Sequence, residues 1–190
     1  MNKPKSSETA TRILTSLLQE ILPRYGENPE REGLLETPRR IIAMYSELLS
    51  GYGQDPKDLF KTFEADGYTG TVLVSQIDFY SICEHHMLPF FGTVDIKYTP
   101  KDKVLGLSKF ARVVEVFSRR LQTQENMTNK IFEAISENLK PLDLTVTVRG
   151  EHLCMSIRGV KRRGAVMETT VSSMSKISNE VNQSKTSGDK

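Results

Sequence analysis

The segment SICEHHMLPFFG, residues 81–92, decides how the centre of this 190-residue chain folds. Side chains alternate between faces along a strand, so Cys83 and His86 share a direction only if the chain turns between them. Pro89 restricts Leu88 to extended conformations, and the chain therefore leaves the turn into a new strand. The segment predicts two strands joined by a turn that carries a Cys-x-x-His pair, a spacing typical of zinc ligands.

Both cysteines and all three histidines of the chain lie in this segment and in a second one, residues 152–154. Thiolate and imidazole together favour zinc, and a catalytic zinc site has three protein ligands and an open position for water. The adjacent rings of His85 and His86 are poorly placed to reach the same ion, and the spacing favours His86. We therefore expect these ligands to one zinc ion per subunit: Cys83, His86 and Cys154. The imidazoles of His85 and His152 then remain for acid–base chemistry.

Two other interpretations of the five groups stay open at this point. A disulfide between Cys83 and Cys154 is one, although no apolar signal segment opens the chain and disulfides are rare in the cytosol. A structural zinc with two cysteines and two histidines is the other, since such four-ligand sites are common. The surplus fifth group argues against this structural site.

The composition excludes several classes of protein. Hydrophobic residues make up 37% and charged residues 26%, and no apolar run approaches the roughly 20 residues that span a bilayer. The net charge is only +2, with both signs mixed along the chain. We therefore expect a cytoplasmic protein that binds neither membrane nor nucleic acid, and any anionic partner should be small.

Periodicity predicts an α+β fold in three parts. Apolar residues with helical spacing, and Thr37-Pro38 as an N-cap followed by proline, indicate two N-terminal helices. The pattern then predicts strands, two helices, of which the first has Ser108 as its N-cap, and further strands. We interpret Gly150-Glu151 as a hairpin connection, which places His152 and Cys154 on one face of the returning strand. The expected divisions are an N-terminal helical region, residues 1–66, a catalytic domain, residues 67–174, and a polar, disordered tail, residues 175–190.

Taken together, the motifs resemble those of the GTP cyclohydrolase I family, over about residues 32–170. The matching segments are EGLLETPRR (32–40), SICEHHMLPFFG (81–92), GLSKFAR (106–112), QTQE (122–125), HLC (152–154) and RG (158–159). The resemblance implies the tunnelling fold, in which antiparallel sheets and helices of several subunits assemble around a barrel. It also implies a homodecamer of two stacked pentamers.

The resemblance implies the reaction as well. GTP and water give 7,8-dihydroneopterin triphosphate and formate, the first step of pterin and folate biosynthesis, with zinc polarising water for attack at C8 of the guanine. His152 is then the proton donor near N7, and His85 with Ser108 serves the later ring-opening steps. Glu125, with Gln124 adjacent, accepts hydrogen bonds from N1–H and the 2-amino group of the base.

Four cationic residues match positions that bind the triphosphate in the family: Lys109, Arg112, Arg158 and Arg40. Ala43 stands where some members of the family carry a lysine, and the run of residues 161–163 is interpreted as a solvated loop. Two alternative functions from other classes of protein remain, a tunnelling-fold nitrile reductase and a catalytically silent zinc scaffold. The first lacks this ligand triad, and the second would have no use for the free imidazoles.

Overall fold

Two sheets and six α-helices make up residues 7–173, the part of the chain that this computed structural model describes. The helices are α1 (Ser7–Ile21), α2 (Glu32–Leu35), α3 (Thr37–Leu48), α4 (Leu107–Ser118), α5 (Gln124–Leu139) and α6 (Leu153–Ser156). The strands are β1 (Thr62–Glu64), β2 (Val72–Cys83), β3 (Pro89–Thr99), β4 (Lys103–Leu105), β5 (Leu121–Gln122), β6 (Asp143–His152) and β7 (Val166–Ser172). The tail predicted for residues 175–190 lies outside the described residues.

The larger sheet has the strand order β5-β2-β3-β6-β7. The short β5 runs parallel to β2, and the other neighbours are antiparallel. In this register Cys83 pairs with Gln122, and Phe90 pairs with His152. The two segments that hold the cysteines and histidines therefore meet at one end of the sheet, although about 70 residues separate them along the chain.

Helices α4 and α5 cover one face of this sheet and form the core with it. The apolar residues with helical spacing along both helices are buried, and so are the alternating apolar residues of β3 and β6. Each fully buried large side chain contributes about 1.5–3 kcal/mol relative to exposure. The predicted α+β class, with helices at the N-terminus, is confirmed.

Both predicted N-caps are wrong, Thr37 by one position and Ser108 by two. Thr37 is the first residue of α3, and the capping position belongs to Glu36, which makes no side-chain capping hydrogen bond; Pro38 does lie in the first turn. Helix α4 begins at Leu107, so Ser108 is inside the helix. In both cases the backbone is already helical at the predicted capping residue, and its hydroxyl is not needed to close the first turn.

The predicted hairpin at Gly150-Glu151 is also wrong. Strand β6 runs through both residues to His152 and pairs with β3 on one side and β7 on the other. A Cβ atom on Gly150 would lie 2.6 Å from Oε1 of Gln124, so this glycine marks a close approach of two elements instead of a turn. Cys154 lies in α6, and it therefore shares no strand face with His152.

The N-terminal helices dock onto the sheet domain at the end where the cysteines lie. The Gly51 N–H donates to Arg119 O at 3.1 Å, and the Arg120 guanidinium donates to Gly51 O at 3.0 Å. The hydroxyl of Tyr45 donates to Met87 O at 3.4 Å. Helix α1 packs on α3 and leaves its apolar residues Ile13 and Leu17 exposed. None of the helices within residues 7–173 has the length and apolar character to cross a membrane.

Candidate active site

Three donor groups converge at the end of the large sheet. Cys83 is the last residue of β2, His86 lies in the turn that follows, and Cys154 lies in α6. One ligand atom from each lies within 4.8 Å of the other two. Both cysteines are free, so no disulfide joins them. The structure brings together the three residues that the sequence analysis selected as ligands.

The backbone holds the turn that presents His86. The N–H of Cys83 donates to Leu88 O and the N–H of Met87 donates to Cys83 O, both at 2.9 Å. The N–H of Glu84 donates to Gln122 O at 3.2 Å and ties the turn to β5. Met87 takes a left-handed conformation with φ of 53°, which reverses the chain before β3 begins. The ligand spacing is thus fixed by main-chain hydrogen bonds before any ion binds.

The electrostatics of the two thiols suit a cation. Burial raises the pKa of the Cys154 thiol, and the neighbouring Cys83 raises that pKa further, while the charge of Arg158 opposes both. Two adjacent thiolates repel each other, and a divalent cation between them reverses this preference because it stabilises both charges. Soft sulfur and imidazole donors in this number fit zinc.

His85 lies beside the triad and outside it. Its Nδ1 is 3.8 Å from Sγ of Cys83, its side chain is largely exposed, and its ring lies 6.2 Å from that of His86 at 76°. The group of converging donors among residues 7–173 contains three members, which is the number for a catalytic site. The structural site with four ligands is therefore disfavoured.

His152 is half-buried at the end of β6 and held on two sides. Its ring stacks on Phe90, with centroids 4.6 Å apart and planes 6° from parallel. Its Nε2 lies 3.0 Å from Oε1 of Gln124. Burial lowers the pKa of His152, and the carboxylate of Glu125 opposes this effect without overcoming it. The ring is consequently neutral at physiological pH.

The first turn of α5 presents its residues in opposite directions. Thr123 caps the helix by accepting from the N–H of Asn126 at 3.2 Å. Gln124 is fully buried under the sheet, whereas Glu125 is exposed and lies close enough to His152 to influence its pKa. The carboxylate is thus free to accept hydrogen bonds from a ligand beside the imidazole.

The remaining predicted residues lie apart from this group. Ser108, Lys109 and Arg112 occupy the first half of α4, where the ring of Phe110 lies 5.5 Å from that of Tyr98. Tyr98 is eight residues along β3 from Phe90, a separation of about 27 Å. These three residues therefore lie in the half of α4 that is farther from the thiols, since the C-terminal end of the helix leads into β5 beside Cys83.

The other two predicted cations lie closer to the metal end. Arg158 follows α6 closely, and its charge acts on Cys154. Arg40 is exposed on α3, the helix whose Tyr45 reaches the metal-ligand turn. Residues 161–163 line a wide surface pocket with Ser156 and Ile157, and they are exposed, as expected for a solvated loop.

Sequence reasoning missed the residues that support the site. Phe90 is a core residue by pattern, and only the pairing of β3 with β6 places it under His152. Gln122 is a second buried amide, which donates to Ser81 Oγ at 2.9 Å and to Phe117 O at 2.5 Å. The signal that could have found the two amides is a polar residue at a position where the pattern predicts burial, in a short strand for Gln122 and at the start of a helix for Gln124.

Comparison with known proteins agrees with this geometry. The family model for GTP cyclohydrolase I matches residues 14–187. The GTP cyclohydrolase 1 of Bartonella quintana (strain Toulouse) is 49% identical over 170 residues, which cover 88% of this chain and 80% of that protein. The GTP cyclohydrolase 1 of Streptococcus gordonii is 48% identical over 159 residues, covering 83% and 85%. The apo archaeosine synthase QueF-Like is a more distant likeness in structure, with a TM-score of 0.45 and 19% identity, covering 56% of this chain and 95% of that one.

Proposed function

Because the chain belongs to the GTP cyclohydrolase I family, and so to the tunnelling fold, we propose that it converts GTP and water to 7,8-dihydroneopterin triphosphate and formate. The observation that carries this proposal is the convergence of Cys83, His86 and Cys154 within 4.8 Å of one another, beside the neutral imidazole of His152. We place the reaction at the start of pterin and folate biosynthesis in the cytoplasm.

The triad holds one zinc ion per subunit in this proposal. The ion supplies Lewis-acid polarisation of the water that attacks C8 of the guanine. His152 moves a proton between this water and the imidazole ring of the base, near N7. Its stacking on Phe90 and its hydrogen bond to Gln124 fix the ring, so the proton is transferred in a defined direction. His85, exposed beside Cys83, is free to serve the later ring-opening steps.

Glu125 selects the base. Guanine presents N1–H and the 2-amino group side by side, and one carboxylate accepts hydrogen bonds from both. Two observations support this role: Glu125 is exposed, and its charge acts on His152, the proposed proton-transfer group. Replacing Glu125 by Ala should lower kcat/KM for GTP by about 30- to 1,000-fold, the loss expected for two charge-assisted hydrogen bonds.

A matched control for this variant lies on the same helix. Glu133 also lies on α5, with 40% of its side chain exposed, and pairs with Lys130 at 3.0 Å, away from the histidines. The Glu133→Ala variant should keep the zinc content and kcat/KM of the wild-type protein. A near-normal kcat/KM for GTP in the Glu125→Ala variant would show that the guanine is held elsewhere.

The phosphate-binding group is best completed by a second copy of the chain. Lys109 and Arg112, with Ser108 beside them, lie in the first half of α4, the half that is farther from the thiols, because the C-terminal end of α4 leads into β5 beside Cys83. We therefore propose a homo-oligomer, namely the decamer of two pentamers that the family resemblance implies. Each active site in it joins the metal end of one copy to α4 of another. Arg158 and Arg40 complete the cationic group.

The direct test uses the zinc-loaded protein and GTP. Formate release and the appearance of a fluorescent pterin after oxidation should rise together, and removal of zinc with a chelator should abolish both. ATP is the control substrate, because adenine lacks the paired donors that Glu125 accepts. A zinc-containing protein that binds GTP without forming formate would establish the silent scaffold instead.

A further inference from the structure

Gln124 is a fully buried amide whose nitrogen side is completely defined by its neighbours. Its Nε2 lies 3.1 Å from Val148 O, 3.0 Å from Met167 O and 3.1 Å from Thr169 Oγ1. The two backbone carbonyls only accept hydrogen bonds, so the atom that faces them has to be the NH₂ group. An amide flipped by 180° would place its oxygen against two carbonyl oxygens in the protein interior, which is strongly unfavourable.

Two threonine hydroxyls confirm the direction of these hydrogen bonds. Thr128 donates to Gln124 O at 2.8 Å, so its single proton is used. Thr169, whose Oγ1 lies 2.6 Å from Oγ1 of Thr128, must then donate to Thr128 and accept from Gln124. The NH₂ group has two hydrogens for three acceptors, so two of its contacts share one hydrogen, and each of the three partners still requires the nitrogen on this side.

The oxygen side of the amide faces His152. Since Oε1 of Gln124 can only accept, the Nε2 atom of His152 at 3.0 Å has to carry the hydrogen. Gly150 leaves the space for this arrangement, because a Cβ atom there would lie 2.6 Å from Oε1. An imidazole turned over by 180° would place Cε1 against Oε1 and lose this hydrogen bond.

We propose that Gln124 is a positioning residue, not a substrate contact, and that its Oε1 keeps the hydrogen of His152 on Nε2 so that Nδ1 is the nitrogen that reacts. This inference rests on the proposed function and deepens it. Carbonyl groups of β6 and β7 orient the amide of Gln124, and the amide oxygen in turn determines which nitrogen of His152 carries the hydrogen.

The proton balance at Nδ1 closes on this assignment. As the oxygen of the attacking water bonds to C8, an O–H bond breaks and its proton moves to Nδ1. The doubly protonated ring keeps its Nε2–H hydrogen bond to Gln124, which is stronger while the ring is charged. The electron pair of the C8=N7 double bond moves to N7, N7 takes the proton from Nδ1, and the imidazole of His152 returns to its starting tautomer.

The tautomer can be measured without any turnover. The chain has three histidines, so zinc-loaded protein labelled with ¹⁵N-histidine gives three imidazole spin systems, and the His152→Asn variant assigns one of them. Solid-state NMR on the sedimented full-length protein identifies which nitrogen carries the hydrogen. We expect Nε2–H at His152, and Nδ1–H there would overturn the proposal whatever the activity of the protein.

Two variants of Gln124 separate positioning from mere structural support. Both Gln124→Met and Gln124→Glu lose the donors to Val148 O and Met167 O, but only the glutamate keeps an oxygen for His152. We expect the Met variant to lose about 10²-fold or more in kcat with KM nearly unchanged, and the Glu variant to recover at least tenfold of that loss. The Nε2–H signal should survive in the Glu variant alone.

Two further variants distinguish a specific effect on His152 from simple misfolding. Asn138→Leu removes a part-buried amide of α5 that donates to Ala134 O at 2.8 Å and contacts no imidazole, so the zinc-loaded variant should keep kcat. Gly150→Ala retains Gln124 but crowds its Oε1, and it should lower kcat and weaken the Nε2–H signal. Equal losses in the Met and Glu variants, or a raised KM with unchanged kcat, would overturn the assignment. Absence of formate from the wild-type protein would instead remove the proposed function and leave the tautomer result standing.

Discussion

The two ends of the large sheet differ in how complete they are within one chain. At the metal end, Cys83, His86 and Cys154 converge, and buried amides and backbone hydrogen bonds hold their surroundings. At the far end, Ser108 and Arg112 are exposed on α4, and the structure shows no buried neighbour that orients them. Under the proposed function, this difference predicts that metal binding is a property of the single chain, whereas binding of the triphosphate is a property of the assembly.

Removing a ligand at the metal end should have the largest effect. Cys154→Ser replaces a thiolate by a hydroxyl that stays protonated, so zinc content should fall to near zero and formate release should stop. Elemental analysis of the purified protein and a formate assay measure the two quantities. The His85→Asn variant is the control for zinc content, which should stay at one ion per subunit. Retention of zinc and activity without the Cys154 thiol would remove that residue from the ligand set.

Removing the imidazole beside the metal should have a smaller effect on turnover and none on the ion. His152→Ala should slow formate release by about 10²–10⁴-fold, the usual worth of a positioned acid–base group, and should keep full zinc content. Loss of zinc in this variant would mean that His152 is a ligand. Cys154→Ser and His152→Ala together therefore test whether two residues only two positions apart have different roles, one as a metal ligand and the other as an acid–base group.

Mixing two inactive variants tests whether the two ends meet across subunits. Cys154→Ser disables the metal end and Arg112→Ala disables the far end, so co-assembled chains should regain activity at sites that combine the intact halves. Random mixing in equal amounts should restore about a quarter of the wild-type activity. Co-expressed, differently tagged chains provide the sample, and separately purified variants assayed together without exchange provide the control. Activity no higher than that of the parents would place the whole site in one chain.

The smallest effect concerns the middle of the sheet, which links the two ends. Burial favours protonation of Asp95, but hydrogen bonds from the Gln76 N–H at 2.9 Å and from Arg149 at 2.5 Å outweigh it and lower the pKa of Asp95 below 3.8. A lowered pKa stabilises the fold above pH 3.8, and the contribution disappears as the pH falls through the value in the folded protein. Asp95→Asn should therefore lower the melting temperature slightly at pH 7, with a difference that shrinks below pH 3.8.

Thermal unfolding of the wild-type protein and the variant at one protein concentration measures this difference across pH. Asp78→Asn, which removes an exposed carboxylate from β2, is the control for loss of one charge. A difference between the wild-type protein and Asp95→Asn that grows as the pH falls would contradict the lowered pKa of Asp95.

The sequence by itself determined the parts that depend on local chemistry. The concentration of Cys and His into residues 81–92 and 152–154 was enough to select three candidate ligands, because thiolate and imidazole are the preferred zinc donors and occur nowhere else in the chain. Pro89 fixed the start of β3, and apolar spacing identified α4 and α5, since burial imposes its period on the sequence.

Only the tertiary structure decided what depends on pairing between distant segments. Gly150 was interpreted as a turn because glycine permits both a turn and a close approach, and the position of Gln124 beneath β6 determines which of the two occurs. The stacking of Phe90 on His152 follows from strand register, and the separation of Arg112 from Cys83 follows from the direction of α4 along the sheet. Local propensity carries no information about these contacts, because each one joins residues whose spacing along the chain is set by the whole fold.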